Sequence, residues 1–390
     1  MDEEQFLELF AIGQGLPGGT STQLVVSTAL VRAGPLGGLS ALVMWNLPGL
    51  VILTTCGVLL SAFIDPDDPP FWLVGLPPAA ISLVFKAFYI FTKTFDKLEA
   101  SLALFSHLIA ILINADARIP STSSQYVFPA MLAVGGLVTY IDSRRAKPFS
   151  TYKSPSAGWE SESDATMKRI GIPLWVGGAL FLLWAVILVV SICLVSVFKV
   201  QNVYLEIFEL MYRIGSIIFG GGQVVLPLLQ DLVVPKWLTK DQFLQGLGLA
   251  QSVPGPLFNF AAYLGAVYQG VPGALVAFMG IFGPGIILIF AVVPFWARIR
   301  HVRWFKATLK GVNATAIGLV GAACVTLWEA AITDAADAMV FSAAGFLAVV
   351  FDVTAPFVVL AGGVIGAILH QSALNLGQVP YCVKNGFKED

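Results

Sequence analysis

Long apolar stretches separated by short polar punctuation run along almost the whole chain. Twelve can be delimited, at 5–33, 36–63, 71–92, 99–115, 123–141, 171–198, 204–234, 240–270, 272–297, 310–330, 337–351 and 355–372. Most are apolar on every side, as expected of helices surrounded by lipid or by other helices. About 20 apolar residues cross a hydrocarbon core of about 30 Å. In that core only helices or closed barrels satisfy the backbone. The pattern therefore predicts an all-α, polytopic integral membrane protein.

The apolar pattern repeats. Shifted by 237 positions, QFLELFAIGQGLPG at 5–18 falls on QFLQGLGLAQSVPG at 242–255, with Gln5, Phe6, Leu7, Gln14, Pro17 and Gly18 on identical residues. After a one-residue offset, Gly34, Gly37, Leu39, Ala41, Pro48 and Gly49 meet Gly270, Gly273, Leu275, Ala277, Pro284 and Gly285. In the same register Gly75 meets Gly311. Pro129 and Gly135–Gly136 later mirror Pro356 and Gly362–Gly363. A duplication follows, with a first repeat at 1–141, a linker at 142–170, an odd connecting helix at 171–198, a second repeat at 199–372 and a tail at 373–390. The counterpart of 204–234 would precede Met1, so the first repeat is expected to lack its first segment and the chain to be an N-terminally shortened form.

Charge sets the orientation. Charged residues make up 12% of the chain, half the roughly 25% usual in soluble proteins, and no basic patch points to nucleic acid. The linker carries Arg144, Arg145, Lys147, Lys153, Lys168 and Arg169, and loop 298–310 carries Arg298, Arg300, Arg303, Lys306 and Lys310. By the positive-inside bias both face the cytoplasm. Segments 36–63 and 272–297 then run in opposite directions, so the two copies are inverted. The same parity requires that 204–234 and 240–270 either both cross the membrane or both re-enter. Lys384 and Lys388, in a tail that counts as external, fit this less well.

Inverted repeats with interrupted helices are the architecture of many secondary transporters, with substrate near the midplane. QSVPGPLFN at 251–259 is such an interruption. Pro254 and Pro256 lack a backbone donor, and Gly255 permits a sharp redirection. Each half of 240–270 is too short to cross, which sets the break inside the membrane. Helix starts at Leu257, at Thr20 after Pro17–Gly18–Gly19, and at Gln223 after Gly220–Gly221–Gly222 present N–H groups and a positive dipole end suited to an anion. Neutral polar side chains gather there: Gln14, Thr20, Ser21, Thr22 and Gln23; Gln223; Gln251, Ser252 and Asn259. This predicts a substrate site at Gln14, Gly18, Thr20, Ser21, Thr22, Arg213, Gly220, Gly221, Gly222, Gln223, Gln251, Ser252, Gly255 and Asn259, for a bulky oxyanion. The bland reading is packing kinks with capping side chains. Arg213, four residues after Glu209, either contacts substrate or pairs on its own helix. Lys86 is expected to snorkel toward the cytoplasm. Asn46 either lines the path or caps a break at Pro48.

Cys56, Cys193, Cys324 and Cys382 show no CxxC spacing, and His107, His301 and His370 do not cluster, so neither a metal site nor a disulfide framework is expected. No cofactor is expected, and no GxxxxGK[ST] motif marks an ATP-driven pump.

Phe219–Gly222 followed by Pro227–Leu229, QSVPGPLFNFAAYLGA at 251–266 and GQGLPGGTSTQL at 13–24 resemble the chromate ion transporter family in its fused, two-copy form. The resemblance covers most of 5–372. It implies a non-enzymatic exporter of chromate, with sulfate as a competing or related anion, in the cell membrane, and is compatible with a homodimer. Thirteen spans are expected of such members, against twelve here. Gly19 also replaces the second proline of the family's PGP pattern in the first copy. The alternatives are a membrane-embedded chromate reductase, disfavoured for want of a flavin, haem or paired-cysteine motif, and a non-transporting scaffold or sensor derived from such a transporter.

Overall fold

The computed structural model describes residues 9, 13, 16–63, 70–115, 124–145, 172–218, 222, 225–234, 236–295 and 303–375. These residues are helical apart from short turns and loops and an isolated bridge at Pro17. In chain order the helices are α1 (Thr20–Phe63), α2 (Phe71–Val74), α3 (Leu76–Thr92), α4 (Lys97–Ala115), α5 (Ser124–Arg145), α6 (Leu174–Ile192), α7 (Val203–Ile217), α8 (Val225–Val233), α9 (Lys240–Ser252), α10 (Phe260–Val292), α11 (Arg303–Ala331), α12 (Ala335–Val349) and α13 (Ala355–Asn375). Among the described residues, four stretches are long and apolar enough to cross a membrane: Thr20–Phe63, Leu174–Val197, Leu257–Phe295 and Ala307–Ala331. The second of these is the odd connecting helix, and most of its surface is exposed.

The backbone carries the duplication as plainly as the sequence. Gly18 and its twin Gly255 both adopt left-handed φ, 119° and 124°. Further on, α1 is kinked at Gly34 (φ 72°, ψ −169°) and α10 at the twin Gly270 (φ 63°, ψ −155°). Only glycine enters such conformations at little cost. Pro48 and Pro284, by contrast, lie inside α1 and α10 without interrupting them. The break expected at Pro48 is therefore absent: the proline is carried within a continuous span.

The interrupted segments turn back on themselves. Trp237 stacks on Tyr268 with ring centroids 5.3 Å apart, and Tyr263 Oη donates to the Gln242 carbonyl at 2.9 Å. A collinear pair of half-helices would separate positions 31 residues apart by roughly 45 Å at 1.5 Å per residue. Hence α9 and the first half of α10 form a re-entrant hairpin with Pro254–Pro256 at its tip. Likewise Lys236 pairs with Glu206 at 2.9 Å, bringing a residue just after α8 back to the start of α7. Asn202 caps α7, and a reciprocal Thr239–Gln242 box caps α9. Both segments re-enter, so the parity requirement is met.

The two copies are interleaved rather than set side by side. The half-helix 20–33 lies along the end of α10: Leu30 packs with Leu288, Ile289 and Val293, and Gln23 touches Gly285. Its counterpart at the start of α10 lies along the second half of α1, where a Cβ at Gly49 would run into Asn259 and one at Gly57 into Ala266. Because 36–63 is a single span, about 42 Å long at 1.5 Å per residue, the half-helices leave their tips in opposite directions.

Away from the hairpins, α11 packs against α4 and α5, while α3 packs against α12 and α13. A Cβ on Gly75 would strike the Gly362 carbonyl, and one on Gly311 the Gly135 carbonyl. These two close approaches are twins under the duplication. Lys86 is one-fifth exposed and reaches the loop between α12 and α13, donating to the Ala348 carbonyl (2.5 Å) and pairing with Asp352 (3.0 Å). The pair links the ammonium to an exposed loop residue of the other copy. Lys310 pairs with Asp96 in the α3–α4 loop, whose carboxyl is held below its usual range first by the Glu99 backbone N–H and then by Lys310.

Overpacking a tight helix crossing costs about 1–3 kcal/mol. Gly311→Val is therefore expected to lower the thermal unfolding midpoint of the purified protein by several degrees. Gly178→Val, on a surface with nothing within 4 Å, is expected to leave it unchanged.

Candidate functional site

All three interruptions arrive at one place. The Gly18 N–H donates to the Ile218 carbonyl at 2.8 Å, joining the first-copy tip to the end of α7. A Cβ on Gly19 would sit 3.4 Å from the Phe258 ring, and one on Gly222 2.7 Å from Leu257 Cβ. Gly18 also faces Gly285, where its Cβ would lie 2.8 Å from Cα. Tips that approach from opposite directions thus touch, with glycines wherever backbone meets backbone.

Two amide side chains hold the tips. Gln23 Nε2 donates to the Pro17 carbonyl (2.7 Å) and to Gly285 O (3.3 Å). Asn259 Nδ2 donates to Asn46 O (3.5 Å) and lies against Gly49. Gly49 and Gly285 are twins, so Gln23 and Asn259 occupy equivalent positions across the inverted repeat. Gln23 is pinned twice, whereas Asn259 is held by one long bond.

Accessibility breaks the symmetry further. Pro17, Gly18 and Gly19 are buried, whereas Pro254 and Gly255 are exposed. One tip is sealed and its twin is open.

Of the residues singled out from sequence, Gly18, Thr20, Ser21, Thr22, Gly222, Gly255 and Asn259 lie on or beside the tips. Thr20, Thr22 and Asn259 are buried and Ser21 is exposed. Gln251 and Ser252 end α9 but are committed elsewhere. Gln251 Nε2 donates to Ala80 O on α3 (3.2 Å), and Ser252 Oγ to Gly248 O on its own helix (2.8 Å). Arg213 lies on α7 before the Ile218 break, with Nε 2.7 Å from Glu209 Oε1, and Glu209 is 5% exposed. Gln14, Gly220, Gly221 and Gln223 fall outside the described residues. Four buried oxygens at the tips have no hydrogen-bond partner: Thr22 Oγ1, Gln23 Oε1, Asn46 Oδ1 and Asn259 Oδ1. In a low-dielectric interior such atoms mark places where a ligand, ion or water completes the bonding.

Sequence reasoning gathered Gln23 with the polar side chains of the first break without assigning it to the substrate, and left Asn46 between two roles. The one-residue offset between the copies falls between Gly18 and Gly34, which hid the correspondence of Gln23 with Asn259. Among the described residues, no group of His, Cys, Asp and Glu is placed to hold a metal, and Cys56, Cys193 and Cys324 are free thiols.

Fold and site together define an integral membrane protein of the transporter class, built from two inverted repeats that meet at interrupted helices. The chain belongs to the chromate transporter family, whose sequence profile matches residues 1–140 and 205–367, one block per copy. It is 26% identical over 335 residues to a chromate transport protein of Pseudomonas aeruginosa, covering 84% of this chain and 72% of that one. A probable chromate transport protein of Synechococcus elongatus is 23% identical over 336 residues, covering 86% and 77%. An uncharacterized transporter of Methanocaldococcus jannaschii is 22% identical over 372 residues, covering 95% and 86%. These relatives are named as transport proteins or transporters. No solved structure matches the chain.

The contact of the tips predicts a cross-link. In a background free of other cysteines, Gly19→Cys with Phe258→Cys is expected to form a disulfide on mild oxidation, seen as a gel shift reversed by reductant. Tips that remained at opposite faces would leave both thiols free to alkylate.

Proposed function

We propose that the chain is a secondary transporter that exports chromate, with sulfate as a related anion, and binds it where the three tips meet near the bilayer midplane. The observation that carries this reading is the convergence of interrupted helices from opposite directions. The first turns of α1 and of the 3₁₀ turn leading into α10 bring to one point N–H groups that have no partner within their helices. Their dipole ends favour negative charge. The Thr22 hydroxyl adds a buried donor without a partner. Gly18, Thr20, Ser21, Gly222, Gly255 and Asn259 form the surrounding wall, and Gln14, Gly220, Gly221 and Gln223 are assigned to it from sequence. Gln251 and Ser252 hold the end of α9, and Arg213 supplies positive charge one helix away. Neutral donors suit an anion that must be released again.

The open and sealed tips fit one state of an alternating-access cycle, in which inverted copies exchange conformations. The cell membrane is the proposed location, with the linker 142–170 in the cytoplasm. Two ion pairs support this orientation, since Asp96–Lys310 and Lys86–Asp352 join elements that the charge pattern assigns to the same face. A homodimer is compatible with this arrangement. With a negative-inside potential a dianion gains about 4.6 kcal/mol per 100 mV on leaving, so export needs no ATP.

The test is flux of labelled chromate and sulfate in proteoliposomes under an imposed potential. Movement toward the positive side is expected, reversing when the potential is reversed. Thr22→Val and Arg213→Leu are each expected to cut the flux at least tenfold while the protein reaches the membrane in normal amount. Wild-type rates in both variants would place the anion elsewhere.

A further inference from the structure

We infer that Asn46 and Asn259 form a binding site for an alkali-metal cation beside the open break at Pro254–Pro256. The two residues touch, Asn259 Nδ2 donating to Asn46 O, and they are 2% and 0% exposed respectively for Asn259 and Asn46. Each amide nitrogen faces a carbonyl, Asn46 Nδ2 donating to Leu42 O at 2.8 Å and Asn259 Nδ2 to Asn46 O at 3.5 Å. Both amide oxygens are buried without a partner. Turning either amide over would set its oxygen against a carbonyl oxygen, so the hydrogen-bond pattern fixes which atom is free. A carbonyl oxygen cannot bind an anion. It needs a donor or a positive charge.

The surroundings favour the charge. α9 ends at Ser252, two residues before Pro254, and its C-terminal carbonyl end carries the negative pole of the helix dipole. Gly255, held at φ 124°, brings the break to these residues: a Cβ there would lie 3.5 Å from Asn259 Nδ2 and 3.8 Å from Trp45 O. Interrupted helices in transporters commonly use unwound carbonyls and helix C-termini for Na⁺ or H⁺ while N-termini face the anion. The oxygens offered are neutral, which suits a monovalent ion; calcium and magnesium sites rely on carboxylates. Pro254 and Gly255 are exposed, which gives a route in. For the transport cycle, an inference that rests on the proposed function, such a cation would offset the charge of a dianion held by the neighbouring N-termini.

Binding is tested without the anion. Thermal unfolding of the purified full-length protein is followed while NaCl or KCl replaces choline chloride at constant ionic strength. A saturable rise in midpoint with Na⁺ or K⁺, absent in choline, is expected. Asn46→Leu should raise the half-saturating concentration at least tenfold, and Asn46→Asp, which adds a charge, should lower it several-fold. Identical curves in the three salts, or a response unchanged in both variants, would overturn the site. Chromate flux measured in parallel separates the two readings. Intact flux without a cation response removes only the cation site. A cation response without flux supports the cation site and removes the export reading.

Discussion

A polypeptide interrupted inside a hydrocarbon layer must find partners for its exposed backbone within the protein, because neither lipid nor bulk water supplies them. Here each copy meets that demand for the other. The Gly18 amide is taken up by the end of α7, and the Pro17 and Gly285 carbonyls by Gln23. Asn259 reaches back to the backbone of α1. Glycine at 18, 49 and 285 follows from the same demand, since any side chain there would push the mating surfaces apart. The interleaving of helices, the close crossings and the position of the site all follow from this mutual closure.

The same closure explains why polar residues in the core do different work. Gln251, at the end of α9, fastens that hairpin to α3 of the other copy. The ring of Trp184 on the connecting helix donates to Ser216, and Tyr212 donates to the Trp184 carbonyl, which fixes α7 beside α6. Glu209 and Arg213 keep their charges together on one helix face. Side chains that anchor the hairpins leave the tips themselves short of partners, and Thr22, Gln23, Asn46 and Asn259 keep unpaired oxygens there.

Much of this was legible in the chain. Apolar length gave the helices, Gly and Pro coincidences gave the duplication, and Lys and Arg in the loops gave the inversion. Whether 240–270 crosses or turns back was not legible, because hydropathy records how apolar a segment is and not its direction. The re-entrant geometry rests on contacts such as Trp237 with Tyr268, which no local pattern announces. The partner of Lys86, Asp352, was not legible either, because it lies far along the chain in a short loop. Pro48 was read as a break because proline usually is one in a helix, yet packing carries it within α1. The role of Gln23 was hidden by a single-residue offset.

Interleaving bears on how such a protein is made. Insertion into the bilayer proceeds from the N-terminus, yet the groove that receives the early half-helix at 20–33 is built from residues around 285–293. The ribosome must therefore produce most of the second copy before the first can reach its final arrangement. Until then that half-helix waits with its polar start at Thr20 uncovered.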